Sequence, residues 1–174
     1  MKITTLIEIK ELRLVLWRNN KLVMGIINRM LTMNNKLKFN NYMRIAEKMA
    51  KKQAMQQYIS NKNNSQSFEE FVKNFDFGKD AEIPVGCVIV DNKTGKVLAK
   101  SCNQTRKKNN PLLHAEMICI HRALSKLKTN RLTGCSLYVT LEPCMMCLGA
   151  IKLARINKIY IGANSTNNVG NIGH

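Results

Sequence analysis

Residues 138–147 have the sequence YVTLEPCMMC and join a predicted buried strand to a predicted helix. The strand is expected over Ser136–Leu141, the helix over Cys144–Ala154 and a second strand over Asn157–Gly162. Two strands joined by a crossover helix form a βαβ unit, in which the strands pair in parallel. The stretch therefore predicts a parallel strand pair with its connecting helix.

Two helices are predicted well before this unit. Apolar residues at helical spacing, with lysines on the opposite face, predict a surface helix over Met43–Tyr58 that packs on the core. Ser67 followed by Glu70 has the pattern of a capping box, which predicts the start of a short second helix.

A hairpin and a third helix are predicted between these helices and the βαβ unit. The β-branched run Pro84–Val90, the turn residues that follow and the weak alternation over Val97–Asn103 are typical of a hairpin. The period of Leu113–Lys128 predicts a helix. Its apolar face is expected to carry Met117, Ile120, Leu124 and Leu127.

The length and composition of the chain predict one globular domain. The 174 residues suffice for a single well-filled core, and 45% of them are apolar. The sequence has no run of about 18 apolar residues, which a membrane helix requires. Lys and Arg number 28 against 11 Asp and Glu, and the resulting charge of +17 favours a phosphate-bearing partner or an anionic surface.

The cysteines and the N-terminal segment indicate the compartment. Six cysteines at irregular positions in a chain of this length do not form a disulfide scaffold, so a reducing environment is expected. Charged residues interrupt the first 20 positions and leave no secretory apolar region. We therefore expect a cytoplasmic protein.

Two short motifs predict the chemistry. His114-Ala115-Glu116 forms H-x-E, and the run Pro143-Cys144-Met145-Met146-Cys147, whose Cys144 lies 28 positions after Glu116, forms P-C-x-x-C. An imidazole and two thiolates are the ligand set of a catalytic Zn²⁺ whose fourth position is left to water. Glu116 is not needed as a ligand, and a carboxylate beside such a water is suited to general acid and base catalysis.

Each motif alone has a simpler interpretation. A lone C-x-x-C is more often half of a structural zinc site or a redox pair, and a lone His114 is about as often a core histidine as a ligand. The sequence has no second C-x-x-C to close a structural site, and Pro143 before the pair does not suit a thioredoxin-like motif. The combination of both motifs favours a catalytic zinc site, and it is the signature of the nucleobase zinc deaminases.

Over roughly Met43 to Gly173 the chain resembles the bacterial-type tRNA-specific adenosine deaminases of the cytidine deaminase superfamily. The resemblance implies a three-layer α/β/α sandwich with a mixed sheet. The runs that carry it are Glu82–Val90, Cys102–Gln104, His114–Glu116, Tyr138–Cys147, Gly149–Ala150, Ala154–Ile156 and Tyr160–Ala163.

The resemblance also implies an activity and the residues that perform it. The wobble adenosine of a tRNA anticodon is expected to become inosine by attack of an activated water on C6, with Glu116 moving the proton. His114, Cys144 and Cys147 are expected to bind Zn²⁺, and the enzyme is expected to be a homodimer. The residues expected to contact the substrate are Asn103, Glu82, Val85, Ala115 and Leu141.

The sequence departs from the resembled family in three segments. Residues 1–42 are expected to be a basic leader that is disordered or precedes the true start, and residues 43–174 to form the deaminase domain. Within that domain, residues 59–79 are an expected insertion and the C-terminal segment is expected to be shortened. Two other functions stay open: a deaminase of a free base or nucleoside such as guanine or cytosine, and an inert RNA-binding or partner subunit of the same fold.

Overall fold

A mixed β-sheet with helices on both faces forms the frame of the protein. The computed structural model describes residues 2–5, 41–60, 67–74 and 81–165. The helices and strands in these residues are, in chain order, β1 (Lys2–Thr5), α1 (Asn41–Ser60), α2 (Phe68–Asn74), β2 (Gly86–Asp91), β3 (Val97–Cys102), α3 (Ala115–Leu127), β4 (Cys135–Leu141), α4 (Met145–Leu153) and β5 (Lys158–Ala163).

The strands of the described residues lie in the order β1-β5-β4-β2-β3. Strand β2 pairs antiparallel with β3 and with β4, so the predicted hairpin is confirmed. Strand β4 pairs in parallel with β5, with Leu137 opposite Ile159, which confirms the predicted βαβ unit around α4. The sheet is therefore mixed, as the resemblance implies.

The helices cover the two faces of the sheet and complete three layers. On one face, Met43 and Ala46 of α1 pack against Val88, Val90 and Tyr138. On the other face, α3 and α4 bury Ala115, Cys119 and Ile151 against the large core. The contact between α1 and β2 is so close that a Cβ on Gly86 would lie 1.9 Å from the carbonyl oxygen of Ala46. The α/β/α arrangement expected from the sequence is confirmed.

The face of α3 that meets the sheet differs from the prediction. Ile120 is buried as expected, but Leu127 is 44% exposed. The buried stripe instead contains the small residues Ala115, Cys119 and Ala123. Small side chains let the helix approach the sheet closely, so the core-facing stripe does not follow the largest apolar residues.

The leader and the insertion are described in part. Residues Lys2–Thr5 of the expected leader form β1, which pairs in parallel with β5. Residues 6–40 of the expected leader lie outside the described residues. The division of the chain at residue 42 stays a prediction.

The described part of the expected insertion contains the predicted short helix. The main-chain N–H of Ser67 donates to the Glu70 carboxylate at 3.0 Å, and the N–H of Glu70 donates to Ser67 Oγ at 3.2 Å, which confirms the capping box. Phe71 of α2 is buried, and its ring lies edge-on to that of Tyr58 on α1, with 5.3 Å between the ring centroids.

Among the described helices, none has the length and apolar character to cross a membrane.

Candidate metal centre and active site

Two helix N-termini bring the three predicted ligands together. His114 is the N-cap of α3, and Cys144 is the N-cap of α4, and neither side chain bonds to its own helix. The N–H of Leu148 donates to the carbonyl oxygen of Cys144 at 2.9 Å, which closes the first turn of α4 and turns Cys147 toward the same point. Pro143 before this turn is fully buried and fixes the approach of the chain.

The donor atoms have the separations that a tetrahedral zinc site requires. His114 Nδ1 lies 3.6 Å from the Sγ atoms of Cys144 and of Cys147, and the three ligand atoms lie within 4.8 Å of one another. Tetrahedral bonds of about 2.1 Å to nitrogen and 2.3 Å to sulfur imply a separation of about 3.6 Å between those donors. The two nitrogen–sulfur separations therefore match a tetrahedral zinc site, and three donors leave one coordination position open.

The electrostatics of the cluster favour a bound cation. Burial raises the pKa of the Cys147 thiol far above its usual range, and the nearby Glu116 carboxylate and Cys144 raise that pKa further. Burial lowers the pKa of His114, which favours the neutral imidazole that binds metals. A cation between the donors would offset the cost of the thiolate charges, and the positive ends of two helix dipoles act in the same direction.

Glu116 lies next to this cluster and is not one of its three donors. It is the second residue of α3, and only 3% of its surface is exposed. Burial raises the pKa of the Glu116 carboxyl, while hydrogen bonds from its own N–H and from the Cys147 side chain act in the opposite direction. The arrangement is a shielded carboxyl group beside three side chains that could hold a metal ion.

Asn103 holds the start of α3. Its side-chain oxygen accepts a hydrogen bond from the N–H of Ala115 at 2.8 Å, and its side-chain nitrogen donates to the carbonyl oxygen of Ile83 at 3.1 Å. Ala115 itself is fully buried between His114 and Glu116. Two of the residues predicted to contact the substrate thus bind each other beside the candidate metal centre.

Comparison with known proteins identifies the family. A family model described as the cytidine and deoxycytidylate deaminase zinc-binding region matches residues 61–163, more than half of the chain. The chain belongs to this deaminase family. The matched region includes His114, Glu116, Cys144 and Cys147, so the cluster lies in the family's zinc-binding region.

Two curated relatives are named tRNA-specific adenosine deaminases. The tRNA-specific adenosine deaminase of Rickettsia bellii is 45% identical over 85 residues, which are 49% of this chain and 59% of the relative. The tRNA-specific adenosine deaminase of Agrobacterium fabrum is 48% identical over 86 residues, which are 49% of this chain and 55% of the relative. The matched part of the chain thus spans little more than half the length of these curated relatives.

A solved structure supports the same relationship. It comes from a study of A-to-I editing by tRNA:A34 deaminases at the wobble position of transfer RNA, and it is 34% identical with a TM-score of 0.56. The likeness covers 73% of each chain. The cytidine deaminase-like fold expected from the sequence is therefore confirmed.

Glu82 has a structural role in this chain that the sequence does not predict. It is 7% exposed, and both carboxylate oxygens accept from the Thr105 hydroxyl at 3.2 Å. The same carboxylate accepts from the N–H groups of Arg106 and Lys107, the latter at 3.3 Å. Glu82 thus anchors the start of the basic loop before His114, and a contact between Glu82 and a base stays a prediction.

The other two predicted pocket residues lie in or against the core. Val85 is 6% exposed and belongs to the large apolar cluster, and its carbonyl oxygen accepts from the N–H of Asn103 at 3.2 Å. Leu141 is the last residue of β4 and packs against the same cluster while partly exposed. Their contact with substrate stays a prediction.

Sequence reasoning missed one residue of this network, Gln53. Gln53 lies on α1, is 5% exposed and donates from Nε2 to the carbonyl oxygen of Asn103 at 2.8 Å. The signal was present in the sequence, because Gln53 stands on the same helical face as Ala46 and Ala50, where an apolar residue is expected. Buried polar groups are nearly always hydrogen-bonded, so a glutamine at an interior position predicts a hydrogen-bond partner.

Proposed function

We propose that this protein is a zinc-dependent hydrolase that converts adenosine to inosine at the wobble position of tRNA anticodons. The observation that carries the proposal is the cluster of His114, Cys144 and Cys147 at zinc-ligand separations, with Glu116 buried beside it. The named tRNA deaminases among the relatives support the choice of substrate.

The residues divide the chemistry between them. His114, Cys144 and Cys147 would hold zinc, which when bound would supply a Lewis acid that lowers the pKa of water toward neutrality. Glu116 accepts a proton from the attacking water and delivers it to the departing amino group. A C6–O bond forms, the C6–N bond breaks, and ammonia leaves. Burial of Glu116 excludes bulk water from this proton transfer.

Charge supports an RNA substrate over a free base. The chain has a net charge of +17, and the loop at Arg106, Lys107 and Lys108, just before His114, is exposed. Such side chains bind backbone phosphates, which a free base lacks. Bases in an anticodon loop are not paired in a duplex, so extruding one costs less than the few kcal/mol that a duplex base requires.

The proposal includes a cytoplasmic homodimer. All six cysteines are free thiols, which suits a reducing compartment. Met145 at the start of α4 is 53% exposed and Leu153 at its end is 80% exposed. Burial of these apolar side chains against a second copy of the chain would place the surface of that copy beside Cys144. Analytical ultracentrifugation of the purified protein tests the dimer directly.

The activity is tested by mass spectrometry on zinc-replete protein. The protein is incubated with total tRNA and, separately, with adenosine, guanine, cytosine and cytidine, and each product is examined for replacement of an amino group by oxygen. Inosine in tRNA is expected. Glu116→Gln should abolish this conversion, and Glu69→Gln at an exposed position of α2 is the matched control that should retain it.

The other outcomes select the alternatives. Conversion of guanine, cytosine or cytidine without conversion of tRNA would replace the proposal with a free-base or nucleoside deaminase. Bound zinc with tRNA binding but no conversion of any compound would indicate an inert RNA-binding subunit. Equal activity of wild type and Glu116→Gln would contradict the assigned proton transfer.

A further inference from the structure

Gln53 is a polar residue on the buried face of α1. Its neighbours on that face are Ala46, Ala50 and Ala54, which are at most 1% exposed. Uncharged amides are rarely buried unless they are hydrogen-bonded, because they lose their contacts with water. Nε2 of Gln53 donates to the main-chain carbonyl oxygen of Asn103 at 2.8 Å. The side chain thus reaches from the first helix layer to the segment that follows β3.

Two hydrogen bonds connect Gln53 to Ala115 at the start of α3. Gln53 holds the main chain of Asn103, and the Asn103 side chain in turn accepts from the N–H of Ala115 at 2.8 Å. Ala115 lies between the metal ligand His114 and the proton carrier Glu116. A shift of the Asn103 main chain would therefore move Ala115, and with it the neighbouring side chains of His114 and Glu116.

Gln53 does not satisfy both hydrogen-bonding atoms of its own side-chain amide. Its second amide atom, Oε1, is buried and has no hydrogen-bond partner among the described residues. An unpaired buried acceptor is unfavourable, whereas an apolar side chain of the same length would fill this space without that cost. The bond from Nε2 to Asn103 is the feature that an apolar residue would not provide.

We propose that Gln53 is a positioning residue for the reaction centre. It fixes the Asn103 main chain, so that the Asn103 carboxamide holds Ala115 and keeps His114 and Glu116 oriented toward the substrate. The kinetic part of this inference rests on the proposed deaminase function. The structural part, the restraint on Ala115, does not depend on that function.

The test compares Gln53→Met with Gln57→Met in the zinc-loaded protein. Gln57 lies one turn further along α1 and donates from Nε2 to the carbonyl oxygen of Glu82 at 3.1 Å, so it is the same residue making the same kind of bond but not to Asn103 or Ala115. Three quantities are measured: the melting temperature, hydrogen exchange of the Ala115 amide by NMR, and kcat and KM for tRNA. Gln53→Leu repeats the test with a second apolar side chain.

Gln53→Met removes the unpaired Oε1 but also removes the donor to the Asn103 carbonyl oxygen, so the melting temperature should stay near that of wild type. It is expected to speed exchange at Ala115 and to lower kcat about 10- to 100-fold with little change in KM. Gln57→Met should leave exchange at Ala115 unchanged. Unchanged exchange in Gln53→Met and Gln53→Leu would overturn the inference, as would equal effects of Gln57→Met. Loss of folding in both Gln53 variants would assign the residue a purely structural role and also overturn it. Faster exchange at Ala115 in a protein that converts no tRNA would refute the proposed substrate and leave the restraint established.

Discussion

The carboxamide oxygen of Asn103 accepts a hydrogen bond from the main-chain N–H of Ala115 at 2.8 Å. This contact joins the end of the hairpin to the first residue of α3, where main-chain N–H groups have no partner within the helix. Asn103 therefore does for α3 what an N-cap side chain does elsewhere, and it leaves the imidazole of the true N-cap, His114, available to a metal.

Two substitutions of Asn103 should distinguish the hydrogen bond that its side chain accepts from the one that it donates. Asn103→Ala leaves the buried Ala115 N–H without a partner and is expected to lower the free energy of unfolding by about 1–3 kcal/mol. Asn103→Asp keeps the acceptor and should cost less. Urea denaturation of both variants provides the comparison. Equal losses would mean that the bond from Asn103 to Ile83, and not the bond to Ala115, is the important one.

The metal assignment predicts different results for two cysteines. Cys147→Ser replaces a ligand and is expected to lose the zinc, the turnover and the thermal stabilisation that zinc gives, since metal binding and folding are coupled. Cys102→Ser, at the end of β3, is the control and should retain one zinc per chain. Metal content is measured by mass spectrometry, and the melting temperature with and without a chelator. Full zinc occupancy in Cys147→Ser would contradict the assignment.

The elements that could be predicted are those determined by residues close to one another in the sequence. The capping box of Ser67 and Glu70, the hairpin and the βαβ unit each follow from neighbouring residues, and each is present. The metal cluster was predictable for a related reason. Each motif precedes or opens a helix, so the topology needs only to bring two helix N-termini together to unite His114 with Cys144 and Cys147.

The parts that were not predictable depend on contacts between distant segments. Nothing in the residue spacing indicated that the Glu82 carboxylate accepts main-chain N–H groups of a loop more than twenty residues away. The sheet-facing stripe of α3 uses Cys119 and Ala123 instead of Leu127 because the helix lies close to the sheet. Neither the conformation of a loop nor the distance of a helix from a sheet can be read from residue spacing.

The anchoring role of Glu82 predicts an effect on substrate binding as well as stability. Glu82→Ala removes the acceptor of the Thr105 hydroxyl and of the Arg106 and Lys107 N–H groups, so the basic loop loses its anchor. We expect a loss of about 1–3 kcal/mol in unfolding free energy and a higher KM for tRNA. Both are measured beside the control Glu69→Ala, which alters an exposed residue. An unchanged KM for tRNA would mean that the basic loop does not contribute to RNA binding.

Two glycine-to-alanine changes should shift stability in opposite directions. A Cβ at Gly86 would lie 1.9 Å from the carbonyl oxygen of Ala46 and 2.9 Å from the nitrogen of Ala50, so Gly86→Ala must push α1 away from the sheet. We expect it to lose about 3 kcal/mol or more. A Cβ at Gly149, on the exposed side of α4, meets nothing within 4 Å. Gly149→Ala should gain about 0.5–1 kcal/mol, because alanine favours the helix. Urea denaturation gives both values, and a Gly86→Ala protein as stable as wild type would contradict the close contact between α1 and β2.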